Sequence, residues 1–436
     1  MQSQTFLPPA VITLPDGGRR IDVPCLTANF LSTNNVVRFH KILYLYNAST
    51  GLWNSQDSEE IKRLTSNLLS EEELSLWTVG VGKNVMEQLN IRIPDLEYSE
   101  KAHKNLLALN NCIVNLRTGK QGKYSPKYFF TSKAQYDYDA NAKCPIFNQY
   151  LNTVCEGDAK LILMLEELLG YLLTNQTKIQ FVFYLYGTGR NGKSVFLNVV
   201  KELVGEGNFI TLTLSELEKP FSRSALEHKK VLLIGDMNRK DSSNFITAEI
   251  KKLSGGDMIS AEIKYGGTYQ FKPTAKVVVS SNFLPVSSND STYGAQRRIF
   301  LIPFRHQITG SEEDLSLMDK LKPELPGILN VAMNGLKRLM ENKYQFSFDG
   351  TQAWRKLIAD EYPFRIFISE QIVPQADGKV KYIEIQKAYR EWCVKKKTYC
   401  KMPDSKQIFN EIVGIYNNAI RFKNNGHRGI KNIALK

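Results

Sequence analysis

The chain of 436 residues has few cysteines, no long apolar run and no low-complexity tract. Its six cysteines form no CxxC pair and no cysteine–histidine spacing typical of zinc sites, so we expect reduced thiols in a cytoplasmic protein. The most apolar stretch, Leu161–Leu172, contains Glu166 and Glu167 and is too short to cross a bilayer. The amino-terminal residues lack a basic segment followed by an apolar one, so neither a secretory signal nor a membrane association is expected.

Acidic residues are outnumbered, and the basic excess is unevenly distributed. The formal net charge is +13 at pH 7. Residues 370–436 contain fourteen lysines and arginines but only six acidic residues, which gives this segment a net charge of +8. A basic excess suggests an anionic partner, but charge alone does not distinguish nucleic acid from a membrane or a nucleotide. The basic character is therefore largely a property of the carboxyl-terminal segment.

Four short runs rich in aromatic and β-branched residues predict strands that are buried on both faces. They are Phe181–Gly187, Val231–Asp236, Lys276–Asn282 and Ile299–Phe304. Helical patterns separate several of them, and this alternation is typical of an α/β domain with a mainly parallel sheet. We therefore expect four regions, namely a mixed α/β region at 1–100, a helical collar-like region at 101–175, an α/β core at 176–345 and a basic domain at 355–436.

The sharpest motif, GTGRNGKS, follows the first predicted strand and precedes the helical pattern SVFLNVVKEL. It fits GxxxxGK[ST], the phosphate-binding loop of P-loop NTPases, in the strand–loop–helix context that this motif requires. Backbone N–H groups would surround phosphate oxygens, while Lys193 would reach the β- and γ-phosphates and Ser194 would bind Mg²⁺. The predicted nucleotide contacts are Gly187, Thr188, Gly189, Arg190, Asn191, Gly192, Lys193 and Ser194.

Polar side chains at the ends of the other strands extend the predicted site. Asp236 would hold Mg²⁺, as the acid of a Walker B element does. Asn282 would sense the γ-phosphate or position the attacking water. Arg297 and Arg298 would act as arginine fingers, and fingers that serve a neighbouring subunit require an oligomer. Taken alone, Asp236 also fits a solvated strand end and Asn282 a turn residue, and the two arginines fit a solvated strand start.

The order and spacing of these motifs resemble superfamily 3 helicases, in particular the helicase part of phage, plasmid and poxvirus-type primase–helicases. The resemblance covers roughly 36–345, and its segments are GTGRNGKS, VLLIGDMN, GGDMISAEIKYGGTYQFKP, KVVVSSNFLP and QRRIFLIPF. It implies an AAA+-like core and a ring-shaped homohexamer, with ATP at the subunit interfaces and single-stranded DNA in the channel. It also implies that Asp236 belongs to Walker B, that Asn282 is the sensor, and that Arg297 or Arg298 acts in trans.

By the same resemblance, the segment Gly256–Pro273 contains a hairpin that projects into the channel. The strand-like runs MISAEI and TYQF flank Gly266-Gly267, which is a turn signal. Lys264 and Tyr265 lie near the expected tip, where a lysine would pair with phosphate and a tyrosine would stack on bases. The residues taken alone fit an ordinary exposed hairpin.

The basic segment predicts two helices followed by two short strands. This order resembles a winged-helix domain, which such helicases often carry. Ser405–Tyr416 would be the recognition helix and Lys423–Lys431 the wing. The predicted phosphate contacts are Arg421, Lys423, Arg428 and Lys431. The alternative for this segment is a solvated basic face or a protein-docking module.

Together these features favour an ATP- and Mg²⁺-dependent replicative helicase of a phage or mobile element. The resemblance implies that the hexamer moves 3′→5′ on single-stranded DNA, and we expect it to act at DNA forks in a bacterial or virus-infected cytoplasm. Met237 and Asn238 follow Asp236 where Walker B elements often carry a second acid, so the catalytic base stays unassigned. No acidic polymerase signature precedes the core, so a primase or polymerase would be a separate chain or a missing portion.

Two other functions stay open at this stage. The first is a P-loop motor or loader that acts on double-stranded DNA. The second is a non-enzymatic initiator that binds origin DNA and uses ATP only to assemble. The Lys264 hairpin separates the helicase from the first alternative, and ATP turnover separates it from the second.

Overall fold

The computed structural model describes residues 8–96, 103–235, 237, 241–242, 245–263, 267–284, 298–361, 363–397, 402–424 and 427–436. Contacts divide the chain into two compact units, Met1–Asn115 with Lys120–Asp137, and Leu116–Gly119 with Tyr138–Lys436. Among the helices in these described ranges, none has the length and apolar composition needed to cross a bilayer.

The first unit combines four helices with three small antiparallel sheets. The helices are α1 (Val23–Thr33), α2 (Ser58–Ser66), α3 (Glu71–Leu74) and α4 (Val79–Arg92). The strands are β1 (Val11–Thr13), β2 (Arg19–Ile21), β3 (Val36–Phe39), β4 (Ile42–Asn47), β5 (Leu52–Gln56), β6 (Leu106–Ala108), β7 (Ile113–Asn115) and β8 (Gln121–Gly122). The sheets are β1-β2, β3-β4-β5 and β6-β7-β8. Leu26, Ile61 and Leu89, each fully buried, join three of the helices in one core.

The region expected to be helical at 101–175 is helical only in its second half. β6, β7 and β8 form an antiparallel sheet in the first half, and helices α5 (Pro145–Val154) and α6 (Ala159–Leu172) follow. The sequence also predicts this hairpin, because the apolar runs on either side of Asn110-Asn111 are only about three residues long and asparagine favours a turn. The hairpin is confirmed, so the expectation of helices in the first half is corrected, and the collar-like role stays a prediction.

A five-stranded parallel sheet organises the second unit. Its strands are β9 (Val182–Tyr186), β10 (Phe209–Thr211), β11 (Val231–Ile234), β14 (Lys276–Ser281) and β15 (Ile299–Pro303). Their spatial order is β10-β11-β14-β9-β15, and every neighbouring pair is parallel. The four predicted core strands are confirmed, and β10 is a fifth that the patterns missed. Because β9 lies between β14 and β15, the loop that follows β9 emerges beside the ends of both.

Helices and one hairpin complete the core of this unit. The helices are α7 (Lys193–Val204), α8 (Leu214–Leu217), α9 (Pro220–Ser224), α10 (Ala248–Gly255), α11 (Leu317–Leu321) and α12 (Leu325–Glu341). β12 (Ile259–Ile263) and β13 (Gly267–Phe271) pair antiparallel, as predicted. At the crossing of α6 and α12, the fully buried Glu167 accepts a hydrogen bond from Arg338 Nε over 2.8 Å. Arg338 also binds Glu166 over 2.9 Å, so one guanidinium joins the two helices.

The carboxyl-terminal segment has a core of its own. Its elements are α13 (Gly350–Glu361), α14 (Pro363–Gln371), β16 (Ile372–Lys381), α15 (Tyr382–Lys396), α16 (Ser405–Ile415), β17 (Ile420–Asn424) and β18 (His427–Leu435). β16, β18 and β17, in that spatial order, form an antiparallel sheet. Phe367, Tyr389, Ile408, Ile412 and Ile430, all fully buried, join it to the helices. The predicted order of two helices and two strands is confirmed, and α14 and β16 precede it.

Two buried lysines lie at the amino ends of neighbouring core strands. Lys230 precedes β11 and Lys276 begins β14, and each side chain is 5% exposed. Lys230 Nζ donates to Asn175 Oδ1 over 2.7 Å, and Lys276 Nζ donates to the carbonyl oxygen of Thr174. Burial lowers the pKa of Lys230 to about 7, and burial together with the charge of Lys230 lowers the pKa of Lys276 well below its usual value. Both amines therefore lose their protons at a lower pH than an exposed lysine does.

These lysines predict that the protein becomes more stable as the pH rises above 7. The unfolded chain keeps both amines protonated up to about pH 10.4, so it binds more protons than the folded chain. Each amine that is neutral in the folded state adds about 1.4 kcal/mol to the free energy of unfolding per pH unit. We expect urea midpoints to rise between pH 7 and 8.5, and the rise to be smaller in Lys230→Met. The exposed Lys178→Met variant is the control, and an equal rise in both variants would refute the assignment.

Candidate active site

The phosphate loop runs from the carboxyl end of β9 to the amino end of α7. Gly192, the residue before α7, has φ +82°, a left-handed conformation that glycine adopts without strain. A Cβ atom at this position would lie 2.7 Å from Val154 Cγ1 of α5. Both the backbone conformation and the packing against α5 therefore require glycine here.

Lys193, the first residue of α7, turns back across the loop. Its side chain is 7% exposed, and its Nζ donates to the carbonyl oxygen of Gly187 over 2.7 Å and to Asn282 Oδ1 over 3.1 Å. Burial lowers its pKa. Both acceptors are neutral, so within the described part of the chain this ammonium is held by dipoles rather than by a carboxylate. Such a cation gains strongly from a nearby phosphate, because the attraction acts in a poorly solvated environment.

Asn191 holds the middle of the loop in place. Its Oδ1 accepts a hydrogen bond from the N–H of Gly189 over 2.6 Å, and its Nδ2 donates to the carbonyl oxygen of His306 over 2.8 Å. The segment that follows β15 continues this contact, since the N–H of Ile308 donates to the carbonyl oxygen of Arg190 over 2.8 Å. The loop conformation is thus fixed by a segment more than a hundred residues away in sequence, which the motif did not predict.

Tyr150 supports the loop from α5. Its hydroxyl donates to the carbonyl oxygen of Gly192 over 2.9 Å, at the point where the loop becomes a helix. Burial raises the pKa of Tyr150 well above its usual value, so the hydroxyl remains a proton donor. Nothing in the sequence near Tyr150 marks it as a functional residue, because its role depends on where α5 packs.

A cavity of about 500 Å³ opens over the loop, and this volume suits a nucleotide. The strand ends contribute Met237, Ser280, Ser281 and Asn282. Three acidic residues after β15 also line it. Glu312 lies 3.0 Å from His306 Nε2, Asp314 forms an ion pair with Lys320 over 2.6 Å, and Glu313 is exposed to solvent. The ion pair with Lys320 reduces the repulsion that Asp314 would exert on a bound anion.

The exposed hydroxyl of Ser194 lines the same cavity and fits a magnesium ligand. Within the described ranges, no group of three histidine, cysteine, aspartate or glutamate side chains is arranged to hold a metal. Magnesium in such sites is held by few protein ligands together with phosphates and waters. The described residues therefore fit a metal that enters with a nucleotide.

Several predicted residues lie outside the described ranges. They are Asp236, Lys264, Tyr265 and Arg297. Arg298 is described and stands just before β15, at the amino edge of the sheet. The phosphate loop and Asn282 follow the carboxyl ends of β9 and β14, so the structure brings Lys193 and Asn282 together and keeps Arg298 at the opposite edge.

The predicted DNA contacts lie in the carboxyl-terminal sheet. Arg421 is directly opposite Ile430, and its guanidinium lies 4.0 Å from the centre of the Phe409 ring. Lys423 and Arg428 are exposed and directly opposite each other across β17 and β18. Lys431 is opposite Ile420 on one side and opposite Lys379 on the other.

Two family models match separate parts of the chain. One is described as a family of unknown function (DUF5906) and matches residues 185–298, which include the phosphate loop. The other is described as "D5 N terminal like" and matches residues 29–156. Neither model covers half of the chain, but together they follow the region in which the motifs were found.

Two relatives and two solved structures resemble the chain. A "Putative helicase L207/L206" of Acanthamoeba polyphaga mimivirus is 28% identical over 158 residues, which are 35% of this chain and 16% of that protein. An "Uncharacterized mitochondrial protein ymf21" of Marchantia polymorpha is 24% identical over 143 residues, which are 30% of this chain and 79% of that protein. Two apo structures of the NrS-1 C-terminal region have TM-scores of 0.51 and 0.50 at 11% and 12% identity. They cover 94% of this chain and 99% and 98% of their own.

The chain resembles the helicase part of phage- and poxvirus-type primase–helicases. The structural likeness extends over nearly the whole chain and indicates a shared fold. In this primase–helicase-like chain, the residues that build the loop support come from α5 and from the segment after β15, outside the motifs that carry the resemblance.

We predict that Tyr150→Phe weakens nucleotide binding, because the carbonyl oxygen of Gly192 loses its donor. A lost hydrogen bond of about 1 kcal/mol corresponds to roughly a fivefold rise in the dissociation constant. Titration calorimetry with a nonhydrolysable ATP analogue measures this change. The control is Tyr171→Phe, which removes a buried hydroxyl that accepts a hydrogen bond from the N–H of Ile179, away from the loop. Equal nucleotide affinity in the two variants would show that Tyr150 does not position the loop.

Proposed function

We propose that this chain is the subunit of an ATP-driven replicative DNA helicase, a homohexameric ring that moves 3′→5′ along single-stranded DNA. The observation that supports it most is the buried Lys193 ammonium beside a nucleotide-sized cavity, where its hydrogen-bond acceptors among the described residues are neutral. The neutral acceptors offer this ammonium only partial negative charges, whereas a triphosphate offers full negative charges. The AAA+-like core and the polarity follow from the resemblance.

The loop residues Gly187 to Ser194 would bind the phosphates through backbone N–H groups and through Lys193. Ser194 and Asp236 would hold Mg²⁺. A metal held there would supply positive charge to neutralise the phosphates. In this scheme Tyr150 and Asn191 keep the N–H groups aligned before the nucleotide arrives, so less binding energy is spent on ordering the loop.

Asn282 would report whether a γ-phosphate is present. Its Oδ1 accepts a hydrogen bond from Lys193, the side chain that a γ-phosphate would attract. When Lys193 turns to the phosphate, the Asn282 amide becomes available to the phosphate or to the attacking water. Asn282 directly follows β14, so its movement acts on the chain beyond that strand.

The position of Arg298 favours catalysis between subunits. Five residues of β15 separate it from the carboxyl edge of the sheet, a distance of about 16 Å. That is too far for its side chain to reach a nucleotide on its own phosphate loop. An arginine finger at this position, from Arg298 or Arg297, would serve the next subunit, and repeated head-to-tail contacts of this kind close into a ring.

DNA would be moved by the hairpin of β12 and β13. The predicted contacts, Lys264 and Tyr265, lie between these two strands in sequence. The carboxyl-terminal segment has the helix–strand–helix–helix–strand–strand order of a winged helix, which supports a second DNA contact there. A primase or polymerase would act with this ring from another chain or from a further part of the protein.

We predict that Lys193→Ala abolishes ATP hydrolysis and that Lys201→Ala, on the same helix, preserves it. A phosphate assay in the presence of single-stranded DNA and Mg²⁺ measures both variants. Wild-type protein is expected to unwind a fork with a 3′ single-stranded tail and to leave a blunt duplex intact. Absence of ATP turnover in the wild type would favour the initiator, and movement on blunt duplex would favour the double-stranded DNA motor.

A mixing experiment tests the shared active site. Arg298→Ala and Lys193→Ala subunits are each expected to be inactive alone, and Arg297→Ala is examined in the same way. In randomly mixed rings with equal amounts of both, about a quarter of the interfaces combine an intact loop with an intact finger. We therefore expect ATPase activity to return in the mixture for whichever arginine acts in trans. If neither mixture recovers activity, the interfacial site is refuted.

A further inference from the structure

One face of the carboxyl-terminal sheet packs on helices, and the side chains that the structure describes on the other face are half-buried or exposed. Val380 and Ile430 point into the core and are at most 6% exposed. Because side chains alternate along a strand, the neighbours of these two residues point to the opposite face. We call this surface the sheet face, and its side chains are Lys379, Lys381, Ile420, Phe422 and Lys431.

Lysines on the sheet face stand directly opposite each other. Lys379 of β16 is the cross-strand partner of Lys431 of β18, and Lys381 is opposite Gly429 in the next row. Like charges in directly opposite positions destabilise a sheet. No acidic side chain of the described residues forms an ion pair with any of the three lysines. An anion bound beside these lysines would offset their mutual repulsion.

Phe422 contacts the backbone of β18 on the same face of the sheet as these lysines. It is opposite Gly429, where a Cβ atom would come within 2.7 Å of the Phe422 ring. Glycine therefore lets the ring rest on the backbone of β18. Phe422 is partly exposed and does not belong to the buried core of this segment, and the neighbouring Ile420 is 51% exposed. An open aromatic ring beside lysines is a stacking platform for bases.

The predicted recognition helix carries much less positive charge than the sheet face does. α16, Ser405–Ile415, contains one lysine, Lys406, and one acid, Glu411. Glu411 is bound to Arg365 over 2.6 Å. A helix with a single cation attracts the phosphates that flank a major groove only weakly. The charge of this segment is thus available on the sheet rather than on the helix.

We propose that the sheet face binds single-stranded DNA, with Lys379, Lys381 and Lys431 at the phosphates and Phe422 stacked on a base. The proposal rests on the DNA-binding part of the proposed function but not on ATP hydrolysis. A single strand is the occupant that suits this face, because its bases are free to stack on Phe422, whereas the bases of a duplex are already stacked on each other. A strand leaving the ring would be held here beside the motor.

The test measures binding of a fluorescent thymidine oligonucleotide to the full chain, without nucleotide, at several salt concentrations. The Lys379→Gln/Lys381→Gln/Lys431→Gln variant is expected to lose at least tenfold in affinity. The slope of log K against log salt should become shallower by about 2, since each phosphate contact contributes about 0.7 for single strands. Phe422→Ala should lose about fivefold to a hundredfold in affinity with an unchanged salt slope. Phe422→Leu keeps an apolar side chain at this position but removes the ring, so this variant should also bind the oligonucleotide weakly. That result would assign the loss to base stacking rather than to misfolding.

The matched control removes three exposed cations from α15, in Lys387→Gln/Arg390→Gln/Lys395→Gln. It should keep most of the affinity and the salt slope. The proposal is overturned if this control loses as much affinity as the sheet-face variant. It is also overturned if Lys423→Gln/Arg428→Gln accounts for the whole loss, because the strand would then bind at the wing.

Crosslinking locates the strand independently of other DNA contacts. An oligonucleotide with 5-iododeoxyuridine is irradiated on the full chain, and the crosslinked peptide is identified by mass spectrometry. We expect crosslinks to the β17–β18 peptide that disappear in Phe422→Leu. Crosslinks found only elsewhere would contradict the proposal. Binding at the sheet face by a wild-type protein that hydrolyses no ATP would instead refute the motor and leave this surface in place.

Discussion

A buried ammonium with neutral acceptors determines how the described site is built. Lys193 can occupy its place only because the carbonyl oxygen of Gly187 and the Asn282 amide replace part of its hydration. Such an arrangement is stable but incompletely compensated, since dipoles attract a cation less strongly than an anion does. The loop must therefore keep its conformation while no anion is bound to the Lys193 ammonium. Asn191 and Tyr150 provide that rigidity from outside the charged centre.

The order of the strands decides which groups share this site. β9 is flanked by β14 and β15, so the phosphate loop, Asn282 and the segment after β15 converge at one edge of the sheet. The same order places Arg298 at the opposite edge, because all five strands are parallel. In the proposed function, an arginine at the amino edge therefore serves the loop of a neighbouring subunit rather than that of its own chain. This separation of the two edges is the physical reason for proposing a ring.

Sequence patterns were informative where local physics determines structure. Continuous apolar runs identified four of the five core strands, and the glycine spacing identified the loop. β10 was missed because its three residues, FIT, are too few for a pattern. Tyr150 and the His306 carbonyl oxygen were missed for a different reason. Each lies far from the loop in sequence, and only the packing of α5 and the path of the chain after β15 bring them to it. Which arginine acts as the finger also depends on contacts beyond one chain.

In the carboxyl-terminal segment, composition gives the net charge, but strand register determines which face of the sheet carries each charged side chain. Composition alone located a net charge of +8, but strand register decides which way each charge points. A shift of one residue along β17 would exchange its two faces, turning Phe422 towards the helices and Lys423 away from them. In the observed register, Ile430 anchors β18 in the core, and this contact holds Lys431 and Gly429 on the other face. The register that buries Ile430 therefore also places the aromatic ring of Phe422 and the opposed lysines on the other face. Composition does not reveal this placement, because it depends on the strand register.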